Sequence, residues 1–243
     1  MYTEKNVFFN GGGVLGFYEH IGAIRYIREN KIIFDRYYGL SAGIAAVMVL
    51  LLDVDIDALL KYADMEINNQ LENGLLDITL LHIKVCTYCI KQSPGAYKLV
   101  NNKICVGITL STGFIWKSEF ESDVDLCNAL LCSGNIPMVS SYDAKINNII
   151  AIDGSAGCPG IPSNTLIIHT TFSFPVTLLY VQIDIIRFAL IYNGYSNIKR
   201  GITRPLEFSV INDSPGIQRI LLNIEGLLPK KYTIADVLLY LKN

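Results

Sequence analysis

Apolar runs alternate with glycine-rich turns along the N-terminal part of the chain. The shortest runs are rich in aromatic and β-branched residues, which favours strands, whereas the longer ones have the length and spacing of helices. In chain order the pattern predicts a strand at Val7–Phe9, a helix from Phe17 to about Asn30, a strand at Ile32–Phe34 leading into Tyr37 and Tyr38, and a helix at Ile44–Leu52. Two strand–turn–helix units so close together indicate a parallel sheet with chemistry at one edge.

The remainder of the chain continues the alternation without repeats or low-complexity segments. Leu75–Ile90 is apolar throughout, so both helix and strand remain open for it. The pattern predicts strands at Ile104–Leu110, Gly113–Lys117, Asn147–Ile152, Leu166–Ile168 and Leu206–Ile211, and helices at Asp57–Met65, Ser122–Cys132, Pro175–Tyr192 and Pro215–Ile224. We therefore expect one α/β domain over residues 1–243, with a mostly parallel central sheet and a motif-bearing core at about 6–162.

Composition narrows the class of protein. The chain has 243 residues, of which 51% are hydrophobic and 17% charged, and its formal net charge is −2. This is apolar-rich for a globular chain, as a buried parallel sheet requires, and the absence of a basic block argues against nucleic-acid binding. No signal peptide precedes the glycine loop, and no stretch reaches the roughly 18 apolar residues of a membrane span. We expect a cytoplasmic protein whose membrane contact is peripheral.

Six cysteines occur, at positions 86, 89, 105, 127, 132 and 158. Cys86 and Cys89 have the C-x-x-C spacing of metal and redox sites, but no second close pair of Cys or His residues completes a zinc site. Without an export signal, free thiols in the core are the expectation. The sequence therefore predicts neither a metal nor an organic cofactor.

The second glycine turn, Gly39-Leu40-Ser41-Ala42-Gly43, has the G-x-S-x-G pattern of a nucleophile elbow. Glycines on both sides let the chain reverse tightly enough to expose the serine at the start of a helix. The helix dipole and free backbone N–H groups there stabilise an oxyanion. Because a predicted strand precedes this turn and a predicted helix follows it, Ser41 is a candidate nucleophile.

The first glycine turn has two functional interpretations. As G-x-G-x-x-G from Gly11 to Gly16, with Asp35 about 20 residues on, it matches a dinucleotide fingerprint. As the triplet Gly11, Gly12 and Gly13 beside a serine elbow, it supplies N–H donors for the oxyanion of an acyl-transfer reaction. The second interpretation uses both turns at once and is preferred, because the first leaves Ser41 unexplained.

Four collinear motifs resemble the patatin-like phospholipases: Gly11-Gly12-Gly13-Val14-Leu15-Gly16, Gly39-Leu40-Ser41-Ala42-Gly43, Ala129-Leu130-Leu131-Cys132-Ser133-Gly134-Asn135-Ile136-Pro137, and Ala151-Ile152-Asp153-Gly154. The resemblance implies a three-layer α/β sandwich and a Ser–Asp dyad, with Ser41 as nucleophile and Asp153 as base. It also implies structural roles for Gly16, Gly39, Gly43 and Gly154. The chain departs from the family at Ser155, where Gly or Ala is usual, and at Cys132, where Ala is usual before the serine.

Three histidines offer an alternative base in a Ser–His–Asp triad. His169 follows Asp153 in the chain order of α/β-hydrolases, and His20 lies within a turn of the glycine loop. Packing is the preferred interpretation of His20 and His82, and the resemblance to a dyad family argues against His169. An exposed aspartate, with a pKa near 3.9, is a weak base, so Asp153 requires a buried position that raises its pKa.

The function expected from these residues is hydrolysis of fatty acyl esters of phospholipids or glycerides through an acyl-enzyme on Ser41. The substrate would be presented at a membrane or lipid-droplet surface. Two alternatives remain: a catalytically silent lipid-surface protein of the same fold, and a dinucleotide-binding oxidoreductase.

Overall fold

The computed structural model describes residues 4–73, 77–137, 140–170, 184–199 and 231–242. They form an α/β fold with a seven-stranded mixed sheet that is mostly parallel at its centre. The strands are β1 (Asn6–Phe9), β2 (Arg36–Gly39), β3 (Ile104–Leu110), β4 (Gly113–Lys117), β5 (Lys145–Ile146), β6 (Ile149–Asp153) and β7 (Thr165–Ile168). The helices are α1 (Gly13–Glu29), α2 (Ala42–Leu51), α3 (Ile56–Glu72), α4 (Ile78–Lys91), α5 (Ala96–Val100), α6 (Asp123–Ser133), α7 (Asp184–Lys199) and α8 (Ile234–Lys242).

Strand β1 lies at the centre of the parallel part of the sheet. It pairs in parallel with β2 on one side and with β7 on the other, and β2 pairs in parallel with β3. The carboxyl ends of β1, β2 and β7 therefore meet at one edge, where the glycine loop, the serine turn and residues 169–170 emerge.

Strands β2 and β6 lie end to end along the same edge of β3. Val106 pairs with Gly39 of β2 and with Lys117 of β4, and Ile108 pairs with Asp153 of β6 and with Ile115 of β4. Because β4 occupies one edge of β3 at both levels, β2 and β6 must share the other edge. The end of β6 therefore lies about two residues, roughly 7 Å, beyond the end of β2.

The two faces of the sheet contribute to two apolar clusters. Alternate strand residues such as Val7 and Val106 join the main core with α1, α2, α4 and α6. Their neighbours Phe8 and Cys105 form a smaller cluster against Trp116 and Phe114 of β4. All six cysteines are free and buried, as expected.

Most of the sequence-predicted elements are confirmed within a few residues. β1, β3, β4 and β7 and helices α1, α2 and α6 follow the predicted segments, and Leu75–Ile90 proves to be helical over its described part. Two N-caps explain the boundaries: Ser122 accepts a hydrogen bond from Asp125 N, and Asp77 accepts one from Leu80 N.

Three element predictions are corrected. The second strand is Arg36–Gly39 rather than Ile32–Phe34, and Ile33 is 85% exposed. Helix α3 is capped by Asp55, not Asp57, and continues to Glu72, because its buried face extends through Ile67 to Gln70. Helix α7 continues past Tyr192 to Lys199. The start predicted at Pro175 and the elements at Leu206–Ile211 and Pro215–Ile224 lie outside the described residues.

The strand that ends at Asp153 also differs from expectation in its direction. It begins at Ile149, because Asn147 and Asn148 both have positive φ and form the turn from β5. It runs antiparallel to β3, so Asp153 reaches the edge from the opposite direction to Gly39. Among the described helices, none combines the length and apolar character needed to cross a membrane.

Candidate active site

Ser41 occupies a strained turn between β2 and α2. Its backbone has φ 52° and ψ −128°, a conformation that is rare for a residue with a side chain. Gly43 closes the turn by donating to Leu40 O over 2.8 Å, and a Cβ at Gly43 would lie 2.2 Å from Phe9 O. The elbow predicted from the G-x-S-x-G pattern is therefore formed.

A buried serine fixes this turn from the opposite side. Ser133, the last residue of α6, accepts a hydrogen bond from Ser41 N at 3.1 Å and donates its own proton to Gly107 O at 2.7 Å. Its side chain thus joins α6, β3 and the elbow. Cys132, the preceding residue, is buried in the apolar core.

The end of β6 is held by hydrogen bonds to its backbone groups, which place Asp153 beside the elbow. Asp153 N donates to Asn135 O at 2.8 Å, and Thr109 Oγ1 donates to Asp153 O at 3.0 Å. Asn135 also donates through Nδ2 to Ala151 O at 2.9 Å. The segment after α6 and strand β3 therefore position the carboxylate together.

Asp153 is buried, with 7% of the residue exposed, and its carboxyl group forms hydrogen bonds with two serines. Ser155 N donates to its Oδ1 at 2.8 Å. Burial raises the pKa of Asp153, while hydrogen bonding from the Ser41 hydroxyl and from Ser155 lowers it. The net pKa is above the ordinary aspartate value, which is the direction that makes a carboxylate a better proton acceptor.

The glycine loop contacts both the serine and the segment after Asp153. A Cβ at Gly11 would lie 2.9 Å from Ser155 Oγ and 3.3 Å from Ser41 Cβ, so any other residue there would displace these serine side chains. Gly11 N donates to Asn10 Oδ1 at 2.8 Å, which removes it from the expected set of oxyanion donors. Among the described residues none accepts a hydrogen bond from the N–H of Gly12 or Gly13, so within that part of the chain these two are the free donors of the loop.

The other motif glycines permit close packing around the same point. An added Cβ at Gly16 would lie 2.9 Å from Thr170 Cγ2. One at Gly39 would lie 2.7 Å from Ile44 Cα, and one at Gly154 would lie 2.2 Å from Gly107 O. The four motifs that are far apart in the chain are thus brought together at one edge of the sheet.

His20 and His82 form hydrogen bonds with backbone carbonyl groups rather than with Ser41. His20 is fully buried, and its Nε2 lies 2.6 Å from Asn10 O, so the ring supports the glycine loop. Burial lowers the pKa of His20 to about 4, which keeps it neutral. His82 Nε2 lies 3.4 Å from Leu130 O, and His169 immediately follows β7.

The dinucleotide interpretation fails on geometry. Asp35 is exposed and precedes β2, with its N–H bonded to Lys5 O. The glycine loop follows β1, which is parallel to β2, so Asp35 lies at the opposite edge of the sheet from the loop. An acidic residue that recognises a ribose must follow the second strand instead.

An apolar cleft opens beside Ser41. Its empty volume, including the mouth, is about 860 Å³. The wall consists mainly of apolar side chains from α1 to α4 and α6, among them Phe17, Ala45, Ala63, Ile67 and Val85. Polar groups from Thr79, His82, Ser140 and Tyr142 interrupt it. Such a cleft suits an aliphatic chain whose reactive end lies at Ser41.

Sequence reasoning missed three contributors to this site. Ala42 follows the nucleophile at the start of α2, where the first N–H groups have no acceptor within the helix. The G-x-S-x-G pattern itself could have indicated it. Ser133 lies within a motif that was recognised, but its bond to Ser41 depends on the tertiary fold. Thr170, which contacts the glycine loop, carries no local sequence signal.

The chain matches no protein-family model, and no curated protein is significantly similar to it. Within the described ranges, no group of three or more His, Cys, Asp or Glu side chains is arranged to hold a metal ion.

Proposed function

We propose that the protein is a serine lipid acyl hydrolase of the patatin-like type, with a Ser41–Asp153 dyad and a three-layer sandwich fold. The observation that carries the proposal is the meeting of a strained serine, which begins α2 and lines an apolar cleft, with a buried carboxylate. The four motifs that resemble the family support the same assignment.

In the proposed reaction Ser41 Oγ attacks an ester carbonyl while Asp153 accepts the hydroxyl proton. The carbonyl oxygen becomes a tetrahedral oxyanion, which the N–H groups of Gly12, Gly13 and Ala42 stabilise, each by about 3 kcal/mol. The leaving alcohol takes the proton from Asp153, and an acyl-enzyme forms on Ser41. Water, deprotonated by Asp153, then attacks the acyl carbon, and Asp153 returns that proton to Ser41 Oγ as the acyl–oxygen bond breaks and the fatty acid leaves.

The apolar cleft supports a fatty acyl ester as substrate. Each methylene that leaves water contributes about 0.8 kcal/mol, so a chain of several methylenes in this cleft supplies the main binding energy. A phospholipid or glyceride at a membrane or lipid-droplet surface is the substrate class, and the protein acts as a peripheral cytoplasmic enzyme without a cofactor.

The test is hydrolysis of phospholipid, triglyceride and lysolipid classes together with labelling by a fluorophosphonate. We expect wild-type protein to hydrolyse at least one class and to be labelled at Ser41. Ser41→Ala should abolish both, and Asp153→Asn should reduce turnover by several orders of magnitude while the protein stays folded. Retained turnover in Asp153→Asn would transfer the role of base to a histidine.

The silent lipid-surface alternative gives a different result. It predicts lipid binding that survives Ser41→Ala, with neither labelling nor hydrolysis in the wild-type protein. The intact elbow and the buried carboxylate favour the enzyme.

A further inference from the structure

Both peptide groups at the start of the glycine loop are anchored by side chains. His20 Nε2 and Asn10 O are 2.6 Å apart, and Gly11 N donates to Asn10 Oδ1, so the peptide between Asn10 and Gly11 is fixed at both ends. Thr170 Oγ1 donates to Gly11 O at 2.9 Å and so anchors the next peptide. The loop owes its shape to these contacts as well as to its glycines.

Thr170 reaches the loop because of the sheet register. Phe9 pairs with Ile168, and Asn10 N continues the ladder by donating to Ile168 O at 3.1 Å. Thr170 therefore emerges beside Gly11 at the carboxyl edge. A Cβ at Gly12 would lie 2.5 Å from Thr170 Oγ1, and one at Gly16 would lie 2.9 Å from its Cγ2. Thr170 thus packs against the loop on the side of Gly12 and Gly16.

The direction of Gly12 N–H follows from this anchor. In a trans peptide the C=O and N–H groups point in opposite directions. Because Gly11 O points to Thr170, Gly12 N–H points away from Thr170. Gly11 lies against Ser41, since a Cβ there would be 3.3 Å from Ser41 Cβ. Within the described ranges no residue accepts a hydrogen bond from Gly12 N–H, which belongs to the peptide directly after Gly11.

We propose that Thr170 is a positioning residue which, by holding Gly11 O, orients Gly12 N–H toward the oxyanion that forms at Ser41. This inference rests on the proposed hydrolase function and assigns part of the site to the segment after β7. Without the hydroxyl of Thr170, the Gly11–Gly12 peptide can rotate, since two glycines impose little backbone restriction.

The kinetic test compares three variants. Thr170→Val keeps the shape and removes the donor, Thr170→Ser keeps the donor, and Thr165→Val is the matched control. Thr165 also donates its hydroxyl to a carbonyl, Pro162 O at 2.6 Å, but at the opposite end of β7. We expect Thr170→Val to lower kcat for a soluble ester about tenfold to a hundredfold with KM unchanged, less than the loss of a whole oxyanion donor. Thr170→Ser should stay within about threefold of wild type and Thr165→Val should equal it.

A second measurement does not depend on activity. Gly11-Gly12-Gly13 is the only place in the sequence where glycine follows glycine. Protein made with glycine labelled at both the carbonyl carbon and the nitrogen therefore gives HNCO signals for Gly12 and Gly13 alone. Thr170→Val should move the signal that joins Gly11 C=O to Gly12 N–H, and Thr165→Val should leave it in place.

The outcomes separate this inference from the proposed function. Thr170→Val with wild-type kcat, or with an unmoved Gly11–Gly12 signal, would overturn the positioning role. A fall in kcat of equal size in Thr170→Val and Thr165→Val would also overturn it, because general loosening of β7 would then suffice. A wild-type protein that is inert toward esters would overturn the hydrolase proposal, and the HNCO comparison would still decide whether Thr170 fixes the peptide.

Discussion

At Asp153, burial and hydrogen bonding act in opposite directions on one carboxyl group. Burial raises its pKa, and hydrogen bonds from Ser41 and Ser155 lower it. No charged side chain of the described residues is among the causes of the shift. The basicity of the group therefore depends on two neighbouring serines, one of which occupies a position where the family resemblance leads one to expect Gly or Ala.

Replacing Ser155 with Ala should shift the pH profile of hydrolysis. The side-chain hydrogen bond that lowers the pKa of Asp153 is lost, so its pKa rises and the acid limb of kcat/KM moves to higher pH. The rate on the plateau should be retained or increased, since the base is stronger. A pH–rate profile of wild type and variant measures this. The matched control is Ser163→Ala, an exposed serine before β7 at the other edge of the sheet.

His20 should make the fold sensitive to mild acid. Its pKa falls from 6.5 to about 4 on burial, so the unfolded chain binds more protons than the folded one between these values. Stability is fully present above pH 6.5 and decreases as the pH falls toward 4, by about 3 kcal/mol in order of magnitude.

His20→Gln tests this sensitivity because an amide can still donate to Asn10 O but does not titrate. Urea unfolding between pH 7 and pH 4 should show a smaller loss of stability in the variant. His82, whose pKa is also lowered by burial, contributes the same background to both proteins. If the free energy of unfolding decreased equally with falling pH in both proteins, His20 would not be the source of the acid sensitivity.

At the scale of single residues, sequence patterns predicted the backbone conformation where a few neighbouring residues determine it. Glycines at 39 and 43 with a serine between them already require a tight turn. The N–H of Gly11 shows where such patterns fail to predict the site. Its hydrogen bond to the Asn10 side chain depends on the rotamer of that side chain, which the spacing of residues in the sequence does not indicate. Thr170 is a second example, since it contacts the loop from more than 150 residues away in the chain.

Among the elements, α6, β3 and the elbow are joined by one hydroxyl. Ser133 supplies both an acceptor for Ser41 N and a donor for Gly107 O, in a site without exposure to solvent. Ser133→Ala would leave two buried backbone groups unpaired. We expect the free energy of unfolding to fall by about 2 kcal/mol or more.

Urea denaturation measures the effect of Ser133→Ala, and Ser111→Ala in the exposed β3–β4 turn is the control. Fluorophosphonate labelling of Ser41 should also slow in the folded variant, because the strained φ of Ser41 loses one of its supports. A variant as stable as wild type would show that another contact holds the elbow.

Strand β6 shows why topology was harder to predict than element identity. Its apolar residues and its end at Asp153 were clear in the sequence. Its antiparallel direction follows from the turn at Asn147 and Asn148, whose positive φ values create a hairpin with β5. The first residues of α3 were misassigned for a similar reason, since Asp55 and Asp57 are both good caps and only packing selects between them.

At the scale of the whole molecule, five helices and Ser41 line the cleft. Ala63, on α3, is buried in its wall. Ala63→Leu should shorten the space for an acyl chain. The value of kcat/KM should fall for long-chain esters by about fourfold per excluded methylene, while acetate esters are unaffected. Hydrolysis of a series of p-nitrophenyl esters of increasing chain length measures this effect. The control is Asn68→Leu, which changes an exposed residue of the same helix.

If Ala63→Leu lowered kcat/KM equally for esters of all chain lengths, the acyl chain would have to bind elsewhere. The same conclusion would follow if the variant and the wild type hydrolysed all the esters at equal rates. The sequence could indicate a lipid substrate through resemblance alone, because the cleft forms between helices that are distant in the chain.

The arrangement of β2 and β6 along one edge of β3 has a consequence for heat inactivation. Ser41 and Asp153, the proposed nucleophile and base, follow strands that both pair with β3, so we expect their separation to be kept when the surrounding helices fray. On warming, the rate of Ser41 labelling should therefore follow ordinary Arrhenius behaviour up to the temperature at which the sheet unfolds. Labelling should then disappear within the few degrees over which the sheet unfolds.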